Sequence, residues 1–401
     1  MFNWFPRSPE EPQASGYCNK GFIQDWGAFV DRFVDSIAAN GPSVQAPTPS
    51  EQTEPHPTIV PAAERVVAIG DLHGDISKTQ RAFRLGGLTD EQDRWIGGPT
   101  IAVQVGDQLD RGDNEVEILY FLERLQKEAA KAGGALYILN GNHETMNVAG
   151  RFRYATAPAI WEFDRWQKLA CLGDALKSKC NCSVQPQHHP TIATPSDGPK
   201  IGMLDAGTKA RWAALSPGGP ITQRFLAKHP IVLQVGSTVF VHGGVLPEHA
   251  AYGLEKINRE TQDWMMGHKG QHVPRFLSGR QAIVWSRDYS TEDTSRVDCE
   301  ALQRALSMIP GAKRMVVGHT IQDSGINSAC GNRVFRIDVG MSKGCGGGNP
   351  EVLEILQDSE VRRLEERKGP QPLSDQGGSP APTRQTVKAW LRDMLSMQQP
   401  S

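Results

Sequence analysis

No apolar run in this 401-residue chain approaches the ~20 residues that span a bilayer, which argues against a transmembrane segment. An excess of positive charge is also missing. Lys and Arg total 43 against 45 Asp and Glu, a formal net charge of −2, so neither a nucleic acid nor an anionic membrane is held through bulk electrostatics. The first residues lack the basic-then-apolar pattern of a secretory signal. Glu10, Glu11, Asp25, Asp31 and Asp35 make them too acidic for an organellar transit peptide. Seven cysteines cannot all pair with one another. Cys171, Cys180 and Cys182 cluster, while Cys18, Cys299, Cys330 and Cys345 are scattered. The Cys180-Asn181-Cys182 spacing does not match a structural zinc site. The expectation is reduced thiols in an intracellular, cytosolic protein; a compartment-dependent disulfide is the other reading.

What is present is the composition of a globular protein, 38% apolar and 22% charged. Residues 1–17 are Pro-containing. Phe22, Trp26, Phe29, Phe33 and Ile37 then recur at helical spacing, so an amphipathic helix docked on the core is expected over about 22–40. Six prolines between 42 and 61 read as an extended linker. Residues 1–61 thus precede a catalytic domain assigned to 62–365. Residues 366–401 form a Gly/Pro/Ser/Gln-rich tail, with 369–385 expected to be disordered and a short helix expected at 386–397. Inside the domain, apolar strands at Val66–Ile69, Ile101–Val105 and Ala135–Leu139 alternate with helices at Ser77–Leu85 and Val116–Ala132. Residues 150–229 differ: helices around Trp161–Leu169 and Ala206–Leu215 enclose a polar loop whose His188-His189 pair reads as solvent-exposed. Later strands are expected at Ile231–Val235, Ser237–Val241, Met315–Val317 and Val334–Val339.

The strands end alike. Gly70-Asp71-Leu72-His73-Gly74 follows the first, Gly106-Asp107-Gln108-Leu109-Asp110-Arg111 the second and Gly141-Asn142-His143 the third. His242-Gly243-Gly244 and Gly318-His319-Thr320 close two later ones. Open α/β sheets hold ligands at such carboxyl ends. Asp-Gly and Asn-Gly are also common turn residues, and a lone histidine is more often structural. Five such endings on one sheet exceed what turn chemistry explains. Three acids, one amide and four imidazoles suit two divalent cations sharing a carboxylate, with Mn, Fe or Zn as candidates.

These five blocks, in this order, resemble the phosphoprotein phosphatase superfamily of calcineurin-like metallophosphoesterases. Val103-Gln104-Val105-Gly106-Asp107, Phe152-Arg153-Tyr154, Gly318-His319-Thr320-Ile321-Gln322-Asp323 and Arg336-Ile337-Asp338-Val339-Gly340-Met341-Ser342-Lys343-Gly344 narrow the resemblance to the Shewanella-like protein phosphatases of plants and algae, non-plastid branch, over about residues 64–358. The resemblance implies an α/β fold, the four-layer α/β/β/α sandwich; the spacer between Asn142 and His242 is longer than in the familiar serine/threonine phosphatases, so 150–229 is expected to be a helical insertion that caps or walls the site and bears on substrate choice. It implies a first metal on Asp71 and His73, Asp107 as bridge, and Asn142, His242 and His319 completing the second. A hydroxide held between the metals would attack phosphorus in line. Arg111, Arg287 and Asn142 would bind the phosphate, with Arg153 a weaker candidate. His143 would protonate the leaving oxygen, oriented by Asp110. Asp75 reads as a helix-start residue rather than a ligand. The implied substrate is a phosphorylated protein, with phosphotyrosine preferred over phosphoserine or phosphothreonine.

A diadenosine-tetraphosphate-type pyrophosphohydrolase shares all five blocks and stays open as a rival, as does a non-catalytic phosphatase-fold scaffold. The same branch leaves open the mitochondrial intermembrane space and a redox or import partner acting on the cysteines. The Ser-Ala-Pro-Asn-Tyr motif that shapes the toxin-sensitive groove in related serine/threonine phosphatases is absent; Asp338-Val339-Gly340 stands there instead. Activity is therefore expected to persist at nanomolar okadaic-acid-type and microcystin-type inhibitors. An inhibition assay in which nanomolar toxin removes most activity would overturn this.

Overall fold

Alternating apolar residues in the short strands have two faces to bury, and the chain satisfies both by stacking two sheets between helical layers. The computed structural model describes residues 20–38, 57–178, 204–366 and 369–373. Helix α1 (Lys20–Ala38) leads into β1 (Ile59–Val60), β2 (Arg65–Ile69), α2 (Ile76–Leu85), β3 (Ile101–Gln104), α3 (Glu115–Lys131) and β4 (Ala135–Ile138). Helices α4 (Asn142–Val148), α5 (Ala157–Ser178), α6 (Ala206–Leu215) and α7 (Pro220–Arg224) follow, then β5 (Val232–Val235), β6 (Thr238–Val241), α8 (Pro247–Tyr252), α9 (Leu254–Met265) and α10 (Cys299–Met308). The chain continues with β7 (Arg314–Val317), β8 (Asn327–Ala329), β9 (Val334–Arg336), β10 (Glu351–Leu356), β11 (Glu360–Glu365) and β12 (Gly369–Pro372).

One six-stranded sheet runs β1-β5-β6-β7-β9-β8, the other β12-β11-β10-β2-β3-β4. Within β2, Val66 and Ala68 join Phe240, Val316 and Phe335 in the core between the sheets. Val67 and Ile69 join Phe83 and Leu122 in the outer core beneath α2 and α3. A third core joins the other sheet's outer face, including Val239 and Val317, to Trp264, Leu302 and Leu306. This is the expected four-layer α/β/β/α sandwich. Strands β2, β3 and β4 are parallel, as are β6, β7 and β9, so each sheet aligns its carboxyl ends.

Several expectations are corrected. The five motif-bearing strands do not share one sheet: three ends belong to one and two to the other. Residues 59–60, read as linker, form β1 parallel to β5, because the edge of that sheet offers unpaired backbone groups. Residues 369–372, read as the start of a disordered tail, form β12 against β11. The sequence reading places no strand at β8, β10 or β11. Helix α1 forms and docks on part of the face expected, Trp26 donating to the Leu176 carbonyl of α5 at 3.2 Å. Phe29 and Phe33 are exposed, whereas Val30 is buried and, with Val34, lies over Gly173 of α5. Glycine there lets the helices approach. Asp35 completes the dock through two hydrogen bonds from Arg224, 2.9 and 3.0 Å, while the same guanidinium reaches Glu123. No described helix is long and apolar enough to cross a membrane. His188-His189, Cys18, Cys180, Cys182 and the expected helix at 386–397 lie outside the described residues.

The reduced-thiol reading also needs correction. Cys299 at the start of α10 is disulfide-bonded to Cys330 after β8, 31 residues on. Helix α10 packs Leu302 and Leu306 on the same core as Ala329 and Val334, which brings the two cysteines together. Cys171 and Cys345 are free thiols. Closing a loop of this length stabilises by about 3–4 kcal/mol in the chain-entropy view. Replacing both cysteines with alanine should lower the urea midpoint by a corresponding amount, and reductant should then have no further effect. An unchanged midpoint in the double variant would refute this contribution.

Candidate active site

Asp107 stands where the two sheets' strand ends meet. Its backbone carbonyl accepts the N–H groups of Leu72 (3.0 Å) and His73 (2.9 Å), tying the first motif loop to the second. Its Oδ1 accepts the His143 N–H at 3.0 Å. Its Oδ2 lies 3.5 Å from His73 Nε2, 3.9 Å from His143 Nε2 and 3.2 Å from His242 Nε2. Glycine is required beside it: a β-carbon on Gly141 would collide with the Asp107 carboxylate, and one on Gly318 with that of Asp71. The loops are conformationally costly. His73, Asp107, Asp110, Arg111 and His319 all hold left-handed φ values, between 43° and 67°. Each such residue stores about 1–3 kcal/mol, so the surroundings must over-determine the geometry.

Among the described residues, two ligand-competent groups share Asp107. Donor atoms of His73, Asp107 and His143 lie within 4.8 Å of one another, as do those of Asp107, His242 and His319. Asp71 sits between them: its Oδ2 is 3.9 Å from His73 Nε2, and its carboxylate accepts the His319 N–H at 3.2 Å. Asn142 Oδ1 is 2.8 Å from His242 Nε2. In His73 and His242 the Nδ1 atoms face the carbonyls of Leu109 (3.1 Å) and Val105 (3.0 Å). A carbonyl only accepts, so each Nδ1 carries the hydrogen and each Nε2 is turned into the cluster. The His319 Nε2 is buried and has no hydrogen-bond partner among the described residues. That orphan atom and this donor set fit divalent cations of the Mn, Fe or Zn class.

The charges show the same demand for positive charge. Burial pushes the Asp71 carboxyl well above its ordinary range, with Asp338 adding like charge. Burial would also raise Asp107, but His242 and His143 hold it well below that range. Burial disfavours the imidazolium of His242, yet Asp107 and Asp71 draw its pKa up to about 10. His73, desolvated and poorly compensated, falls to about 3. Burial likewise pushes His319 well down, helped by the charges of His242 and Arg287.

Beside this cluster, His143 Nδ1 and Asp110 Oδ2 are 2.6 Å apart, the pair expected from the sequence. Burial opposes the charge on His143, but Asp107 and Asp110 together raise its pKa. Arg111 lies over the Tyr154 ring at 4.8 Å. Arg153, the weaker candidate, also stacks on Tyr154, at 4.5 Å. Arg287 donates to the His319 carbonyl (3.0 Å) and to Thr320 Oγ1 (2.8 Å), and it lines a groove of about 1000 Å³. Trp285 meets the His319 ring edge-on. Asp75 caps α2, accepting the N–H of Lys78 with one oxygen and that of Lys343 with the other, away from the ligand groups.

Sequence reasoning missed the residues behind the site. Glu144 is fully buried and accepts four backbone N–H groups: Asp107 (2.8 Å), Gln108 (2.8 Å), Leu109 (3.0 Å) and Gly141 (2.6 Å). Burial and the Asp107 charge push its carboxyl up to about 7. Its position directly after His143 was the available signal. Asp338, Asn147, Glu115 and Arg211 were missed too. The wall of the groove also differs from expectation. Apart from Arg151, the described residues lining it come from 145–149, 273–296 and Thr320, not from the described part of the insertion at 150–229. Changing Glu144 to Gln would turn an amide NH₂ toward two of the four N–H groups. Each buried donor left unpaired costs about 1–3 kcal/mol, so the urea midpoint should fall by the equivalent of at least about 2 kcal/mol. A midpoint equal to the parent's would refute the role of Glu144 as the tie between the loops.

Comparison with known proteins agrees with this geometry. The calcineurin-like phosphoesterase family matches residues 64–323. The chain is 49% identical to Shewanella-like protein phosphatase 2 of Arabidopsis thaliana, covering 88% of this chain and 90% of that one. It is 30% identical to Shewanella-like protein phosphatase 1 of Plasmodium berghei, over 71% and 69%. The crystal structure of the cold-active protein-tyrosine phosphatase of a psychrophilic Shewanella species superposes with a TM-score of 0.59 at 20% identity, covering 83% of this chain and 88% of that one, which shows a common fold. With its strand-end motifs, its two-sheet sandwich and these relatives, the chain belongs to the Shewanella-like protein phosphatases, metal-dependent enzymes of the calcineurin-like phosphoesterase family.

Proposed function

We propose that the enzyme hydrolyses phosphate monoesters on proteins, with Asp71, His73 and Asp107 holding one divalent cation and Asp107, Asn142, His242 and His319 holding a second. The observation that carries this is the single Asp107 carboxylate shared by two imidazole-bearing groups, with an orphan Nε2 on His319. When bound, such cations lower the pKa of water and neutralise phosphate charge. The chain's own residues do the rest. Arg111 and Arg287 present planar guanidinium forks for phosphate oxygens, and Asn142 adds an amide. Asp110 accepts the Nδ1–H of His143, fixing the ring so that Nε2 faces the reacting centre. Protonated there, His143 donates to the departing oxygen, and Asp110 stabilises its charge.

The groove supports a polypeptide substrate. Its volume is about 1000 Å³, and its lining includes Trp285, Arg287 and Thr320. The Trp285 indole offers an aromatic wall to a phenyl ring, which favours phosphotyrosine over the smaller phosphoserine and phosphothreonine. The rival dinucleoside polyphosphate reading shares the cation set, and turnover separates it from the peptide reading. The scaffold reading would require a missing ligand, and no candidate ligand is missing from the chain.

A substrate panel with Mn²⁺ tests the proposal. Phosphotyrosyl peptides should be turned over fastest, phosphoseryl and phosphothreonyl peptides more slowly, and diadenosine tetraphosphate least. Asp107→Asn should abolish turnover of all of them while leaving the circular dichroism spectrum unchanged. Preference for the dinucleotide would install the rival, and near-parent activity in Asp107→Asn would remove the shared carboxylate from the reading.

A further inference from the structure

Helix α6, from the insertion, sends Arg211 into the back of the site. Arg211 has no exposed surface and does not line the groove. Its Nη2 donates to Asp110 Oδ1 at 3.1 Å. Its Nε and Nη2 donate to Asn147 Oδ1 at 3.0 and 2.8 Å. Its Nη1 lies 2.7 Å from Glu115 Oε2, an ion pair by distance without hydrogen-bond alignment. The guanidinium sits over the rings of Phe152 and Phe163, at 5.5 and 4.8 Å. It is therefore fixed by three polar partners and two aromatic faces.

We propose that Arg211 is a positioning residue for leaving-group protonation, acting through Asp110 on His143. The inference rests on the reading of His143 as general acid. Asp110 lies on a left-handed loop residue, and a carboxylate can pivot about its last bond. Here each oxygen has its own partners. Oδ1 takes Arg211, while Oδ2 takes His143 Nδ1 at 2.6 Å and Asn147 Nδ2 at 3.0 Å. Rotation would break a fully buried ion pair. The backbone of Asp110 is held from the same side, its N–H donating to Glu115 Oε1 at 3.0 Å. Asn147 closes the ring by donating to the His143 carbonyl at 2.9 Å. Two buried carboxylates, Asp110 and Glu115, need a cation in this enclosed space, and a planar fork can serve both together with an amide. A lysine ammonium is a single point and cannot reach all three. The insertion thus contributes to catalysis from behind the site.

The test uses full-length enzyme with Mn²⁺ and aryl phosphates whose leaving phenols range from dinitrophenol to phenol. Dinitrophenolate leaves without a proton; phenolate needs one. Arg211→Lys should lose about 10²-fold or more in kcat on phenyl phosphate but only about threefold on dinitrophenyl phosphate, with KM unchanged. The double variant Arg211→Met/Glu115→Gln removes one charge of each sign and should show the same split, so a failure of the lysine variant to fold leaves the proposal testable. A uniform loss across the series, or no loss, overturns it. His143→Asn is the control. If that variant loses activity uniformly, the general-acid reading fails and the inference fails with it. If it is selective while the Arg211 variants are not, the inference alone fails. A second readout needs no metal. The His143 Nδ1–H proton, protected by Asp110 in the metal-free parent, should broaden by solvent exchange in Arg211→Lys, and an unchanged resonance overturns the proposal.

Discussion

One carboxylate organises this protein. Asp107 is buried in a left-handed turn, faces three imidazole Nε2 atoms, and binds two neighbouring loops through its own carbonyl and Oδ1. Such an arrangement is unfavourable in isolation. It crowds the buried carboxylates Asp71, Asp107 and Asp338 together with little exposure to water, and it holds five non-glycine residues at positive φ. It persists because the sandwich is built around it. The aligned carboxyl ends of β2, β3 and β4 present it from one sheet, and β6 and β7 close it from the other.

The supporting layer divides by sign. Glu144 supplies oxygens to N–H groups that would otherwise be buried and unpaired, and so joins the loop after β3 to the loop after β4. Arg211 supplies the opposite charge, pairing with Asp110 and Glu115. Buried groups of this kind stabilise little on net, but removing one partner is expensive, and that asymmetry keeps the geometry unique.

The added segments have separate roles. The insertion packs α5 and α6 on the helical layer and reaches the site from behind. Among the described residues, the groove before the site is built mainly by 145–149 and 273–296, the stretch leading to the disulfide that fixes α10 to the β8–β9 turn. Helix α1 docks through Val30, Val34 and Asp35 and leaves Phe29 and Phe33 in solvent.

How much of this was legible in the sequence depends on range. Short-range chemistry was readable: apolar strand, glycine, then Asp, Asn or His. The repetition named Asp71, His73, Asp107, Asn142, His143, His242 and His319, and Asp75, at the exit of the first of these loops, could be read as a helix cap. The structure brings the strand-end residues together as the motifs implied. Three things were not legible. A strand pattern states which residues alternate but not which sheet they join, so two sheets could pass for one. The period of α1 marks an apolar stripe but cannot say that a glycine on a distant helix will seat the valines rather than the phenylalanines. Arg211 and Glu144 look like ordinary charged residues on helices, and only burial makes them supports for the site. Local sequence determined the chemistry at each strand end. Tertiary structure decided which ends share a carboxylate, because desolvation and close approach exist only once distant segments have packed.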